Sequence, residues 1–329
     1  MIAKRRIVSA ICFLLLFCIT GSGCSQKKKE AVDSSNSNTK KQEQLEEPTK
    51  EPTKEPEEKN VDSVVKEDSS PWKLVSESKV ETSVHYAGFL NDSIGVTVGY
   101  EGEISFTEDG GKTWLKSTNV SYCRYGLDFY DESFLVSSGN GGVNLVSKDK
   151  GKNWSNLSDF PLKNNSFYNK FLSVIDTSNM YIGSLQSLGV STDGGSSWKE
   201  LQLPEGCTSL AGMYFITPEV GYLLGSDGIL YKTKDSCTSW TSQAIDIAGE
   251  SIGYASMPTA TMNFQDEDHG MLIYKTKTGI YCLKTEDGGM TWDSIEMPKS
   301  TCFTPYLSRD GQYLTLSSQS NDVCLYKLE

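Results

Sequence analysis

Five carboxylates recur in this chain at one fixed place in a repeated pattern. Carboxylates are among the side chains that supply acid–base chemistry. Asp109 stands in Thr107–Trp114 (TEDGGKTW), Asp149 in Ser147–Trp154 (SKDKGKNW) and Asp193 in Ser191–Trp198 (STDGGSSW). Asp235 stands in Thr233–Trp240 (TKDSCTSW) and Asp287 in Thr285–Trp292 (TEDGGMTW). Repetition argues against catalysis, because a site needs an acid or base once and not once per repeat. A turn explains the spacing better. Asp-Gly and Gly-Gly supply positive φ without steric cost, and the carboxylate accepts from turn N–H groups that no ladder satisfies. Trp then buries a large ring beside the next strand, with one N–H to place. The five aspartates are read as structural, and no catalytic residue is assigned.

Other chemistries find little support. The only histidines, His85 and His269, are far apart and no CxxC occurs, so neither a metal site nor a cofactor is expected. Cys12, Cys18 and Cys24 belong to the start of the chain. Cys123, Cys207, Cys237, Cys282, Cys302 and Cys324 remain, an even set that leaves every pairing, and none, open. Beyond the first six residues the only arginines are Arg124 and Arg309.

Short apolar runs flank each repeat, such as ISF before Thr107 and ILYK before Thr233, and no convincing amphipathic helix occurs between Trp72 and Glu329. The repeat tryptophans are 40, 44, 42 and 52 residues apart. A period in the forties with several strands per unit predicts an all-β chain, a β-propeller of four-stranded blades. The sixth unit ends in VCLYKLE without its turn, its Trp or a fourth strand, while Trp72-Lys73-Leu74-Val75 resembles the segment immediately after a repeat. The sequence therefore predicts six blades, the last closed by Trp72–Ser76 beside Val323–Leu328, which removes an exposed seam. Five or seven blades are the alternatives. Seven would need a hidden repeat in the insertion Ile245–Ala260.

These repeats resemble the Asp-box, or bacterial neuraminidase repeat. With strands such as Gly221-Tyr222-Leu223-Leu224-Gly225 the resemblance covers nearly all of 72–329 and extends to three groups. Sialidases clamp a carboxylate with an arginine triad, which two arginines cannot make, and no FRIP-like segment is present, so sialidase activity is not expected. Asp-box polysaccharide hydrolases work with two carboxylates across a cleft. The single-propeller photosystem II assembly/stability factors and their non-photosynthetic relatives match in length, repeat density and export. That resemblance implies a binding scaffold rather than an enzyme. A glycan-active hydrolase is the alternative, to be recognised by two carboxylates converging at the ring axis.

The chain opens with Lys4, Arg5 and Arg6, then an apolar run from Ile7 to Ile19, then Thr20-Gly21-Ser22-Gly23 before Cys24. That order is an export signal, shorter than a comfortable membrane span. GSGC resembles a bacterial lipoprotein cleavage site, although Gly21 departs from its usual aliphatic residue, and the resemblance implies a lipid on Cys24. Residues 1–23 are thus expected to be a signal peptide and 24–70 a polar linker containing PTKEPTKEP, too poor in apolar residues to fold. The folded part is expected over 71–329. The protein would sit on the extracytoplasmic side of a membrane, held by its lipid. The signal's three cations are matched by the linker's surplus of three acids, so the chain's net charge of −12 falls on the folded part. An acidic domain is a poor ligand for nucleic acid.

In a propeller of this connectivity the repeated turns share one face with the first-to-second turns. The other face carries second-to-third loops and fourth-to-first connections, which vary from blade to blade, and varied loops on a rigid scaffold are where function concentrates. The expected binding set there is Tyr100, Glu101, Tyr122, Arg124, Tyr125, Phe167, Tyr168, Tyr254, Tyr274 and Phe303, centred on Arg124 and Tyr125. Exposed aromatics with one cation suit a protein or glycan partner, and a monomer is expected.

Overall fold

The structure, a computed structural model, describes residues 69–119, 124–160, 169–247, 250–252 and 259–329. The expected signal peptide, Cys24 and nearly all of the linker lie outside the described residues. Within them, strands alternate with turns, and the sole helical element is the short 3-10 turn Tyr100–Gly102.

Strands build six four-stranded antiparallel sheets. Blade 1 is Tyr86–Phe89, Gly95–Val98, Glu103–Thr107 and Leu115–Asn119. Blade 2 is Arg124–Asp131, Phe134–Gly139, Asn144–Ser147 and Ser155–Asn156. Blade 3 is Phe171–Val174, Met180–Gly183, Leu188–Ser191 and Lys199–Leu201. Blade 4 is Leu210–Phe215, Gly221–Gly225, Ile229–Thr233 and Thr241–Ala244, and blade 5 is Ala260–Phe264, Gly270–Lys275, Ile280–Thr285 and Asp293–Ile295. Blade 6 joins Thr304–Leu307, Tyr313–Ser317 and Asp322–Leu328 to Trp72–Lys79 from the other end of the domain. Each first strand touches the first strand of the next blade, and Tyr86–Phe89 touches both Arg124–Asp131 and Thr304–Leu307, which closes the circle. The six-bladed β-propeller is therefore the fold. The insertion 245–259 adds no strand among its described residues.

Closure goes further than the sequence suggests. Trp72 lies opposite Leu328 and Lys79 opposite Asp322, so the closing strand runs three residues beyond Ser76, with an irregularity between Leu74 and Ser76. Such an extra residue bends an edge strand and blunts it against further pairing.

The tryptophans do more than the local role expected of them: Trp114 and Trp292 keep edge-on contacts with Phe89 and Phe264 of their own blades, and all six rings also reach a neighbouring blade. Trp154 packs with Val96 and Phe106 of blade 1, and Trp198 with Phe134 and Val136 of blade 2. Trp240 packs with Phe171 and Tyr181 of blade 3, and Trp292 with Tyr222 and Leu230 of blade 4. Trp114 meets Tyr313 and Leu325 of blade 6, and Trp72, 2% exposed, meets Met271 and Ile273 of blade 5. Each ring thus fastens its blade to the one before, and Trp72 fills the sixth such place. The cores of the propeller lie between blades, as they must in sheets that bury both faces.

Candidate functional site

The two faces of the ring differ in how their backbone polar groups are satisfied. On the first, each repeated turn is a closed hydrogen-bonded unit. Asp109 Oδ1 accepts from Thr113 N at 2.9 Å and Thr107 Oγ1 at 2.8 Å, and Oδ2 accepts from Thr113 Oγ1 at 2.6 Å. Asp149, Asp193, Asp235 and Asp287 repeat this with Asn153, Ser197, Ser239 and Thr291. These bonds, led by that of the Thr113 or Thr291 hydroxyl, hold Asp109 and Asp287 down at about 2. Carboxylates held ionised in this way serve poorly as general acids near neutrality.

Each turn is also tied to its own blade's first-to-second turn, by Gly110 N to Ser93 O at 2.9 Å, Lys150 N to Glu132 O at 3.0 Å and Gly194 N to Ser178 O at 2.9 Å. Ser236 N to Glu219 O at 3.1 Å and Gly288 N to Asp268 O at 2.8 Å complete the series. The first-to-second turns thus share this face with the repeats.

The opposite face carries the members of the expected binding set that lie among the described residues. Tyr122, Phe167, Tyr168 and Tyr254 lie outside the described residues, and of Glu101 only the backbone is described, in the turn Tyr100–Gly102. Tyr100 is 43% exposed, with its ring 3.5 Å, centroid to centroid, from that of His85. Tyr125 stacks on the same imidazole at 5.0 Å, and His85 Nδ1 lies 3.1 Å from Arg124 O. The structure thus gathers Tyr100, Arg124 and Tyr125 around a histidine that the sequence reading weighed only as a metal ligand. Burial pushes that imidazole down to about 4, so it is neutral across the physiological range.

Exposure, however, is not what the sequence suggested for the two central members. Arg124 is 0% exposed and Tyr125 is buried. Arg124 does not belong to a connection. It begins the first strand of blade 2, opposite Gly139, and its Nη1 donates to Val143 O at 3.0 Å. Tyr274 is also buried, stacked on the more exposed Tyr281 at 5.4 Å. These three rest at the base of the loops, and Phe303, 49% exposed, stands clear of it.

Phe303 marks a groove of about 410 Å³ between the Lys275–Ile280 loop of blade 5 and the Met297–Phe303 connection into blade 6. Binding sites for small ligands span ~300–1,000 Å³. Lys275, Lys277 and Lys299 line it together with Met297 and Ile280, and no Asp or Glu does. Lys275 Nζ stands 4.8 Å from the centroid of the Phe303 ring, within cation–π range. The sequence reading named Phe303 but none of the lysines. Their signal was a local one, Lys275 and Lys277 bracketing one residue in a loop of an otherwise acidic domain.

At the ring axis, first strands of all six blades line a cavity of about 40 Å³, which has room for water but not for a sugar. Asp128 is the one carboxylate among its described lining residues. It accepts from Val174 N at 2.7 Å and from the Tyr306 hydroxyl at 3.3 Å. Burial raises its carboxyl despite the nearby Arg309. The same burial, with Asp128 adding to it, raises the Tyr306 phenol. Asp128 and Tyr306 bond to one another, and Arg309 Nη2 donates to Phe215 O at 3.2 Å while its Nη1 is buried without a partner among the described residues, so polar side chains fill the axis. The carboxylate pair by which a hydrolase would be recognised does not converge there among the described residues.

No protein-family model matches the chain, and no curated protein matches it. Solved structures do. A structure titled YCF48 bound to D1 peptide aligns with a TM-score of 0.52 at 14% identity, over 80% of this chain and 96% of that one. The RRP9 WD40 repeats align at 0.55 and 12% identity, over 78% and 97%, and a streptogramin B lyase at 0.54 and 11% identity, over 78% and 98%. At such identities the likeness is one of fold, and this fold carries both binding and catalytic proteins.

Proposed function

We propose that this chain is an extracytoplasmic lipoprotein, anchored by lipid on Cys24, whose single propeller captures a protein partner on the loop face. The observation that carries the reading is the contrast between the faces. One is closed by repeated turns that satisfy their own polar groups, and the other offers a cationic groove beside an exposed aromatic ring. The axis supports the same reading, since its cavity is too small for a sugar and holds one carboxylate among its described lining residues. A peptide-bound neighbour of the same fold lends the reading an example of a ring used as a peptide platform. One acyl chain anchors weakly and two or more anchor stably, so a lipidated Cys24 would keep the propeller at the membrane on a polar tether.

Two experiments test this. Intact mass of the purified protein is expected to show a chain beginning at an acylated Cys24, and Cys24→Ser is expected to release it from membranes. An unmodified wild-type chain in the medium contradicts the anchor. Capture of a partner on immobilised protein is expected to fail for Tyr100→Ala/Lys277→Ala/Phe303→Ala and to survive in Lys112→Ala/Met290→Ala on the opposite face. Equal capture by both contradicts the assignment of the face.

A further inference from the structure

We propose that the groove between blades 5 and 6 takes an extended acidic peptide, with a carboxylate side chain set among Lys275, Lys277 and Lys299 and an apolar side chain on Phe303. This rests on the reading of the propeller as a binder of proteins and names the chemistry of the segment bound. Charge favours such a ligand. The folded part carries all of a net charge of −12, yet this groove is lined by three cations and no carboxylate, the acid bonded to its rim being Glu250, which accepts from Thr278 Oγ1 at 2.8 Å. A local reversal of sign in an acidic domain focuses the field on one spot and selects an anionic ligand.

Several lysines elsewhere on the domain are paired with acids. Lys116 pairs with Glu103, Lys152 with Glu108, Lys234 with Glu267 and Lys284 with Glu286. Lys275 instead leans on an aromatic face, and Lys299 is exposed on the facing connection. The lining is mixed. Met297, Ile280, Leu316 and the ring of Phe303 give the groove an apolar floor beside its cations. An anionic polysaccharide or a lipid headgroup offers charge without the alternating apolar side chains that such a floor accommodates, whereas a peptide offers both. The groove runs between two loops on adjacent blades, so an extended segment can lie across the seam. Three lysines without a fork geometry recognise charge rather than one fixed carboxylate orientation.

The test uses the full chain in neutral detergent and a fluorescein-labelled, end-blocked peptide alternating glutamate with leucine. Its glutamine counterpart, polygalacturonate and phosphatidylglycerol vesicles are compared. The account expects the glutamate peptide to bind, to weaken as salt rises, and to lose at least tenfold in affinity in Lys277→Glu/Lys299→Glu and in Phe303→Ala, at unchanged melting temperature. Equal binding of the glutamine peptide, preference for polygalacturonate or vesicles, or indifference to the lysine variant would overturn it. If partner capture is lost in the Tyr100/Lys277/Phe303 set but untouched by Lys277→Glu/Lys299→Glu, the acidic-peptide assignment fails while the loop face stands. If neither set affects capture, both fail.

A separate observation carries a second inference. Cys302 and Cys324 are both buried, with sulfurs 3.7 Å apart, and Cys302 also lines the groove. We infer that these two thiols become a disulfide when the chain meets a disulfide oxidant such as glutathione disulfide. Cys302 first forms a mixed disulfide and releases one glutathione. Cys324 then displaces the second, leaving a protein disulfide and two glutathione thiols in all. The bond would join the connection into blade 6 to the strand that Trp72–Lys79 closes upon. Peptide mapping after oxidation and alkylation is expected to show a 302–324 bridge and a higher melting temperature, both absent in Cys302→Ser. A bridge between other cysteines, or free thiols at both positions after oxidation, contradicts it.

Discussion

The turn face and the loop face are built from the same strands, yet they manage polar groups in opposite ways. On the turn face one aspartate per repeat collects its neighbours' donors, and the turn is then bonded to the adjacent first-to-second turn. On the loop face the connections share no motif, aromatic rings stand over a buried histidine, and cations face a groove. The difference teaches that repetition here serves closure of the ring. Individuality, which a specific ligand requires, is confined to the side where the repeat is silent.

The comparison can be broken first at the seam. Trp72→Ala removes a ring that is 2% exposed and packed on blade 5, at a cost of about 3–5 kcal/mol, and should open the ring. Chemical denaturation would measure it, and a loss below about 1 kcal/mol would mean the closing strand is dispensable. Arg124→Ala should come next, losing about 1.5–3 kcal/mol with its buried bond to Val143 O. A lost partner at unchanged stability would return Arg124 to the binding set.

The turn face has its own signature in acid. Asp109 and Asp287 are held at about 2 in the folded chain, against ~3.9 when unfolded. Their contribution is therefore fully present above the unfolded value and disappears as pH falls towards 2. Asp109→Asn/Asp287→Asn should lower the melting temperature at pH 7 and flatten its decline between pH 4 and 2. Parallel curves for variant and wild type would refute a structural role for these carboxylates.

A smaller effect sharpens the same point. In TKDSCTSW the two turn positions are Ser236 at φ 56° and Cys237 at φ 65°, where TEDGGKTW places Gly110 and Gly111 at 74° and 85°. Left-handed strain of ~1–2 kcal/mol, set against ~0.4–1 kcal/mol of extra unfolded-state entropy, makes Ser236→Gly stabilising by about 0.5 kcal/mol. A fall in melting temperature would show that the turn tolerates the side chain without strain.

Much of this architecture was legible in sequence because the repeat reports its own period. Trp72 without a preceding turn, and VCLYKLE without a turn after it, could only complete each other. The direction of the tryptophans was not legible, because packing on the preceding blade is a tertiary choice that no local spacing encodes. The site was less legible still. Arg124 and Tyr125 looked like loop residues, since they lie between the turn-type Ser117-Thr118-Asn119 and the strand-like run GLDFY that begins at Gly126, and the strand proved to begin at Arg124. The lysines of the groove come from two loops more than twenty residues apart in sequence, and only the fold brings them to one place.

The most direct test of the two-face account places a photo-crosslinking phenylalanine analogue at Phe303 or at Met290, 49% and 68% exposed, one on each face, and irradiates the full chain in its own cells. The account predicts a discrete protein adduct from position 303, suppressed by Lys277→Glu/Lys299→Glu, and none from position 290. An adduct from 290 with none from 303 would place binding on the turn face and contradict it.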